Sequence, residues 1–266
     1  LTLFSANAVH AVVDGGGGDN VSTVGSDGGD EWRFTVGAGP ALVPDYEGSD
    51  DYEVAPLPIF RADKGPVNVS LFGNKLTANL IPHDNWRFGP LVQFRRERDN
   101  DVDNKRVGDM KDVDAALELG AQLGYDFILP GGTLGIEVEG AHDVNDEYNG
   151  WWVSPKIGFK TKFEEKWSFA MNGGMTFADD GFMKHYFGVG PKNRGNSQFP
   201  DYDADGGEKD FFFSAGLGYQ CTKNWGVGVV GQWKQLIGDA DNDSPVVGVG
   251  SKQQYVAAAY VTYTFN

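Results

Sequence analysis

The sequence predicts an all-β protein: a closed antiparallel transmembrane β-barrel of twelve strands, or ten if the two shortest merge or drop out. Three observations carry this. Apolar and polar residues alternate for ten or more positions in six segments, the period of a half-exposed strand. The last of these, Gln254 to Phe265, puts Tyr255, Ala257, Ala259, Val261, Tyr263 and Phe265 on one face. Such an aromatic-ended terminal strand, closed by Tyr263 and Phe265, resembles the C-terminal signal of outer-membrane barrels. The segments between strands are alternately short and long, as in bacterial outer-membrane barrels.

Taken in order, the strands are expected at about 31–42, 52–62, 66–73, 75–81, 85–97, 113–128, 131–141, 150–163, 166–177, 209–221, 225–237 and 252–265. The sixth alternates most clearly. Val113, Ala115, Leu117, Leu119, Ala121, Leu123, Tyr125 and Phe127 face one way, with Asp114, Glu118, Gln122 and Asp126 opposite. In the seventh, Leu134, Ile136 and Val138 oppose Thr133, Glu137 and Glu139; in the ninth, Trp167, Phe169, Met171, Met175 and Phe177 oppose Ser168, Asn172 and Thr176. The even-numbered connections are turns such as A-D-K-G-P, L-P-G-G and E-E. The odd-numbered ones, 43–51, 98–112, 142–149, 178–208 and 238–251, are long, apart from Gly73-Asn74. A soluble sandwich has no reason to segregate its loops in this way.

Two further points place the apolar face outward, in lipid. Twelve strands close to a cylinder too wide for an apolar lining to fill, so apolar-out and polar-in is the expected arrangement. Six of the seven tryptophans, Trp32, Trp86, Trp151, Trp167, Trp225 and Trp233, lie on the apolar face near strand ends, where interfacial girdles need amphipathic rings. The first strand must then pair with the last, because an unpaired backbone group in hydrocarbon costs several kcal/mol.

No run of 18 apolar residues exists in the 266, which excludes a helical membrane protein, and period-2 patterning hides a barrel from a hydropathy average. A net charge of −16 argues against nucleic acid as a partner. The single cysteine, Cys221, permits no internal disulfide. Residues 1–11 look like the end of a signal-peptide apolar region, with Val9 and Ala11 at the small-residue cleavage positions; 12–30 is expected to be a flexible Gly/Asp-rich tail, and 31–266 the barrel.

Residues 40–61 contain P-D-Y-E-G-S-D-D-Y (Pro44 to Tyr52) followed by Pro56-Leu57-Pro58. With N-W-R-F-G-P-L-V at 85–92, Y-F-G-V at 186–189 and the closing V-T-Y-T-F, this resembles the MltA-interacting protein (MipA/OmpV) family of Gram-negative outer membranes. Asn266 departs from the pattern, since such proteins end on the aromatic residue. The resemblance implies an outer-membrane barrel in contact with lipid and lipopolysaccharide. For the named member it implies a scaffold joining a periplasmic murein hydrolase to a murein synthase.

Charged residues on the inward faces of strands five to eight read basic, acidic, acidic, basic: Arg87 and Arg95; Asp114, Glu118 and Asp126; Glu137 and Glu139; Lys156, Lys160 and Lys162. This is either an ion-pair network bracing the lumen or the wall of a solute-selective channel. Asp45, Glu47, Asp50 and Asp51 are dense enough to coordinate Ca²⁺ or Mg²⁺, although their spacing is not that of an EF-hand; solvated acidic loops are the plainer reading. No cofactor is implied, because the G-G-G-G at 15–18 follows no strand and precedes no helix. The histidines His10, His83, His142 and His185 form no readable catalytic set. Within 178–208, Phe182, Met183, Tyr186 and Phe187 have the spacing of a short amphipathic turn, which plugs the barrel or caps it from outside. The function expected is therefore a non-enzymatic envelope scaffold, with a solute-permeable channel or a surface adhesin as alternatives.

Overall fold

The computed structural model describes residues 31–241 and 243–265; the expected signal remnant and tail, 1–30, and Asn266 lie outside the described residues. Twelve antiparallel strands close on themselves: β1 (Arg33–Pro44), β2 (Tyr52–Lys64), β3 (Val67–Phe72), β4 (Lys75–Asn79), β5 (Trp86–Arg95), β6 (Ala116–Leu129), β7 (Gly132–Asp143), β8 (Trp151–Phe163), β9 (Trp167–Ala178), β10 (Gly207–Gln220), β11 (Trp225–Leu236) and β12 (Gln253–Phe265). Strand β1 pairs with β12 from Phe34↔Phe265 to Leu42↔Ala257, so the sheet has no free lateral edge at the seam. The expected strand count and order hold, and β3 and β4 are separate, short strands.

The outer face carries Phe34, Val36, Phe88, Leu119, Leu123, Ile136, Ile157, Val229 and Val261, all exposed. Among the described residues no helix is long and apolar enough to cross a membrane, and the strands supply the apolar band. Trp32, Trp86, Trp167 and Trp225 mark its short-turn end, and Trp151 and Trp233 the long-loop end. Trp167 and Trp233 are only half-exposed, because Tyr219 packs on the first at 4.7 Å between ring centroids and Phe211 on the second at 5.4 Å. The seventh tryptophan, Trp152, points into the lumen and is buried.

A Gly-Pro pair interrupts the strand pairing at two places. The β1–β12 ladder is interrupted at Gly39-Pro40, where a Cβ on Gly39 would lie 1.9 Å from the Ala259 carbonyl oxygen. The β4–β5 ladder stops short of Gly89-Pro90, where a Cβ on Gly89 would lie 2.0 Å from the Ala78 oxygen. Only glycine admits so close a crossing, and proline brings no donor to leave unpaired.

Strands β3 and β4 end low in the wall. β2 pairs with β3 only from Ile59↔Phe72 downward, whereas it pairs with β1 as far as Tyr52↔Pro44. Above the Gly73-Asn74 turn the margins of β2 and β5 therefore face each other across a notch. Gly73 N donates to Pro58 O at 2.9 Å, which shows that Pro58 points its backbone toward this side. Pro56 has the same parity. The Pro56-Leu57-Pro58 element thus removes two N–H groups from an edge that no strand covers. The ion pair between Arg96 and Glu53 spans the margins.

Two expectations about the interior are corrected. The lumen is not uniformly polar: Ala41, Val43, Ala55, Leu57, Ile59, Phe72, Val230, Val256, Ala258 and Tyr260 form a continuous buried apolar cluster inside the β1–β3 and β11–β12 wall. In β2 this makes both faces apolar, since Val54, Pro56, Pro58 and Phe60 point out. Second, β6 begins at Ala116, so Val113 to Ala115 lie outside it. Asp114 is exposed and its amide donates to Glu147, because the chain from 96 to 115 leaves the wall through an isolated Arg98↔Val113 bridge and a helical turn, α1 (Lys105–Gly108). Asp114 is therefore no part of the lumen.

The long β9–β10 connection opens with the helix α2 (Asp180–Tyr186), capped by Asp179, whose carboxylate accepts from Phe182 N and Trp151 N, both at 3.0 Å. Its apolar side, Phe182 and Met183 with the adjoining Phe187, is completely buried. The last connection holds a 3-10 turn (Gly238–Ala240) and α3 (Pro245–Gly248), whose Val246 and Val247 are likewise buried.

Candidate functional site: a charged layer across the lumen and the plug above it

Each side of the lumen contributes charge through strand parity. Glu137 on β7 lies directly opposite Lys156 on β8 in the ladder, and Lys156 Nζ bridges Glu137 and Glu139 at 2.8 Å each. Glu139 also takes Lys75 of β4 at 2.6 Å, reaching past β5 and β6. Toward the short-turn end, Arg87 pairs with Glu137 and, at 3.0 Å, with Asp126, which Lys160 approaches at 3.5 Å. Toward the long loops, Arg95 donates through Nε to Glu118 at 2.7 Å; Glu118 also accepts from Tyr148 Oη at 2.7 Å and Trp152 Nε1 at 2.8 Å. Of the ten residues expected in the lumen, Asp114 is excluded and Lys162 is half-buried with no ion pair among the described residues. Of the other eight, Arg87, Asp126, Glu137, Glu139, Lys156 and Lys160 form one ion-paired set, and Arg95 with Glu118 belongs to a second.

Several members of the layer lie outside the expected strands five to eight. Glu47, from the β1–β2 loop, turns into the barrel and takes Lys209 at 2.6 Å, Lys234 at 2.9 Å and Arg95 at 3.7 Å. Burial alone would raise its carboxyl pKa, but Lys209, Lys234 and Arg95 together hold it well below the usual carboxylate range. Lys75 and Lys234 were open to detection by strand parity. Lys209 and Asp210 were not: the β9–β10 register shifts between Glu208 and Asp210, so two successive side chains point inward, 2.5 Å apart. Glu47 carries no signal in its loop sequence.

This disposition corrects the metal expectation. Glu47 is committed to three cations and Asp50 is exposed at the loop tip. Asp45 and Asp51 are instead brought together with Asp103, their carboxylate oxygens within 4.8 Å of one another.

The layer is dense. Lys75, Arg95, Glu118, Glu137, Glu139, Lys156, Lys209 and Asp210 each have at most 5% of their surface exposed. The cavity among Lys75, Arg95, Trp152, Lys209 and Lys234 is about 40 Å³, space on the scale of one or two waters. Above it α2 seats Phe182 over Arg95, 4.7 Å from guanidinium carbon to ring centroid, and 5.4 Å from Lys209 Nζ. Of the two positions open to the 178–208 segment, the plug is the one adopted.

A family model described as MltA-interacting protein MipA matches residues 36–265. The chain belongs to this family. No curated protein matches it. Among solved structures it is similar to the COG4313 outer membrane channel from Pseudomonas putida F1, at 14% identity and a TM-score of 0.44, covering 88% of this chain and 95% of that one. It is also similar to the Pseudomonas putida toluene transporter TodX, at 13% identity and a TM-score of 0.41, covering 99% of each chain. MipA-family membership, the closed twelve-strand barrel and its apolar outer band make this a protein of the bacterial outer membrane. By the usual organisation of such barrels, the short turns are periplasmic and the long loops extracellular.

Proposed function

We propose that this MipA-family member is a non-conducting, non-enzymatic barrel that works through its surfaces, as an envelope scaffold between a murein hydrolase and a murein synthase. The observation that carries this reading is the charged layer, in which oppositely charged side chains fill the lumen in direct contact beneath the α2 plug. A barrel that passes no solute has only its loops, turns and outer wall with which to act. The family description, an MltA-interacting protein, supplies the class of partner. The periplasmic turns, among them Glu164-Glu165 with both residues at positive φ, present the face that murein enzymes can reach.

Purified protein in planar bilayers is expected to give no stepwise conductance at neutral pH, and immobilised protein is expected to retain a purified lytic transglycosylase. Discrete channel openings by the wild type would replace the scaffold with a selective pore whose walls are the same charged residues. Failure to retain the transglycosylase would remove the partner assignment while leaving the sealed barrel intact.

A further inference from the structure

The outer wall is not uniformly convex. From β9 round to β2 a groove of about 630 Å³ opens on the lipid side. Its floor follows a single row of paired residues, Ala215, Gly231, Ala257, Leu42 and Val54, each directly opposite the next. The first three carry the smallest side chains, whereas the next outward row, Phe213, Trp233 and Tyr255, stands above them as large rings. Ladder bonds run perpendicular to the strands, and strands tilted by about 35–45° make such a row oblique to the membrane. The groove therefore climbs from Phe169, two residues above Trp167 of the periplasmic girdle, to Val54, two residues below Tyr52 at the extracellular end of β2. Five strand spacings of about 4.8 Å make it about 24 Å long, the scale of an extended lipid chain.

The groove is continuous with the apolar band that faces the bilayer, so hydrocarbon covers it. Its concavity selects among occupants. Two copies of the chain meeting through it would enclose a void, which close-packed interfaces do not leave. A flexible acyl chain fills an oblique trough by changing its own torsions. The shallow end also offers hydrogen-bond donors. Tyr52 Oη accepts from Tyr255 N at 3.3 Å, which leaves its own proton without an acceptor among the described residues. The side-chain oxygen of Gln253 accepts from Trp233 Nε1 at 3.3 Å and Tyr255 Oη at 3.1 Å, leaving its amide hydrogens to donate. Val54 has the parity of Pro56 and Pro58 and turns its N–H toward the uncovered margin of β2, where an unpaired backbone group is costly. Donors at this height suit the carbonyl and phosphate oxygens at the head of a lipid, in the belt where aromatic rings mark the interface. Lipopolysaccharide supplies that leaflet of the outer membrane. We propose that the groove holds one acyl chain of lipid A, entering from the extracellular leaflet with its head beside Tyr52 and Gln253.

The site is independent of the scaffold reading and is tested on the full chain by native mass spectrometry in detergent, after delipidation and addition of purified lipid A. The wild type is expected to retain one lipid A per barrel, and to retain no phosphatidylethanolamine added at the same concentration. A Cβ on Gly231 would meet only the Val256 oxygen, at 3.9 Å, so the wall accepts a larger side chain there and the groove receives it. Gly231→Leu is therefore expected to lose most of the bound lipid A. Should it fail to fold, Ala257→Leu blocks the same floor and is expected to do likewise. Ala121→Leu, on the exposed outer face of β6, is the control and is expected to bind as the wild type does. No retained lipid A, equal retention of phosphatidylethanolamine, or undiminished binding in Gly231→Leu or Ala257→Leu would overturn the proposal. So would a wild-type dimer that Gly231→Leu dissociates, since that result assigns the groove to a second copy of the chain.

Discussion

Glu47→Ala is expected to destabilise the barrel by about 3–5 kcal/mol and to let current through it. The carboxylate is the single point at which Lys209, Lys234 and Arg95 converge, from β10, β11 and β5. Without it Lys209 and Lys234 are left with Asp210 alone, and Arg95 with Glu118. The size of the effect comes mainly from the cations left behind: a buried pair that loses one member keeps the desolvation cost of the other and none of the attraction. The loop from 45 to 51 also loses the anchor that draws it into the lumen. Two measurements check this, the denaturant midpoint of the folded barrel and single-channel recording of the variant beside the wild type. Asp50→Ala is the control. It sits three residues away on the same loop, is exposed, and is expected to change stability by no more than about 0.5 kcal/mol.

The sequence makes the wall legible and leaves its contents largely hidden, for a physical reason. Lipid outside and charge inside impose a strict period of two, so β6, β7 and β9 can be placed by eye, and turns such as Pro130-Gly131 mark where they end. Partners on adjacent strands are nearly as accessible: once β7 and β8 are aligned, Glu137 must face Lys156. Contacts across the lumen are different. Glu47 meets Lys209 and Lys234 over 162 and 187 residues, and nothing local in either sequence specifies the encounter. Parity also misleads where the chain departs from the wall. Extending the β6 alternation upstream places Asp114 in the lumen, whereas the strand has not yet begun there. The apolar half of the interior escapes for the opposite cause. In β2 both faces are apolar, so alternation cannot distinguish Leu57, which is buried inside, from Pro56 and Pro58, which guard an uncovered edge.

Acidification is expected to release the plug before it affects the wall. His185, on α2, is pushed down to about 4 from its ordinary 6.5, first by burial and then by the nearby Arg98 and Arg95. Asp143 and Asp114 pull the other way, and Glu147 lies 3.5 Å from Nε2, but burial raises Glu147 toward its neutral form and limits what it offers. With the docked value below the free one, the neutral imidazole favours the docked helix. That contribution is complete above pH 6.5. It shrinks as pH falls, because the undocked segment takes up a proton that the docked one refuses, and below about pH 4 both forms are protonated. The gap corresponds to at most about 3 kcal/mol, enough to matter to a segment of one short helix and its flanks. Hydrogen exchange corrected for intrinsic rate should therefore accelerate for the amides of 182–188 between pH 6.5 and 4.5, while β6 and β7 stay protected. His185→Gln should flatten that dependence. A plug equally protected at both pH values would show that Glu147 already compensates the imidazolium and that the helix is held by Phe182, Met183 and Phe187 alone.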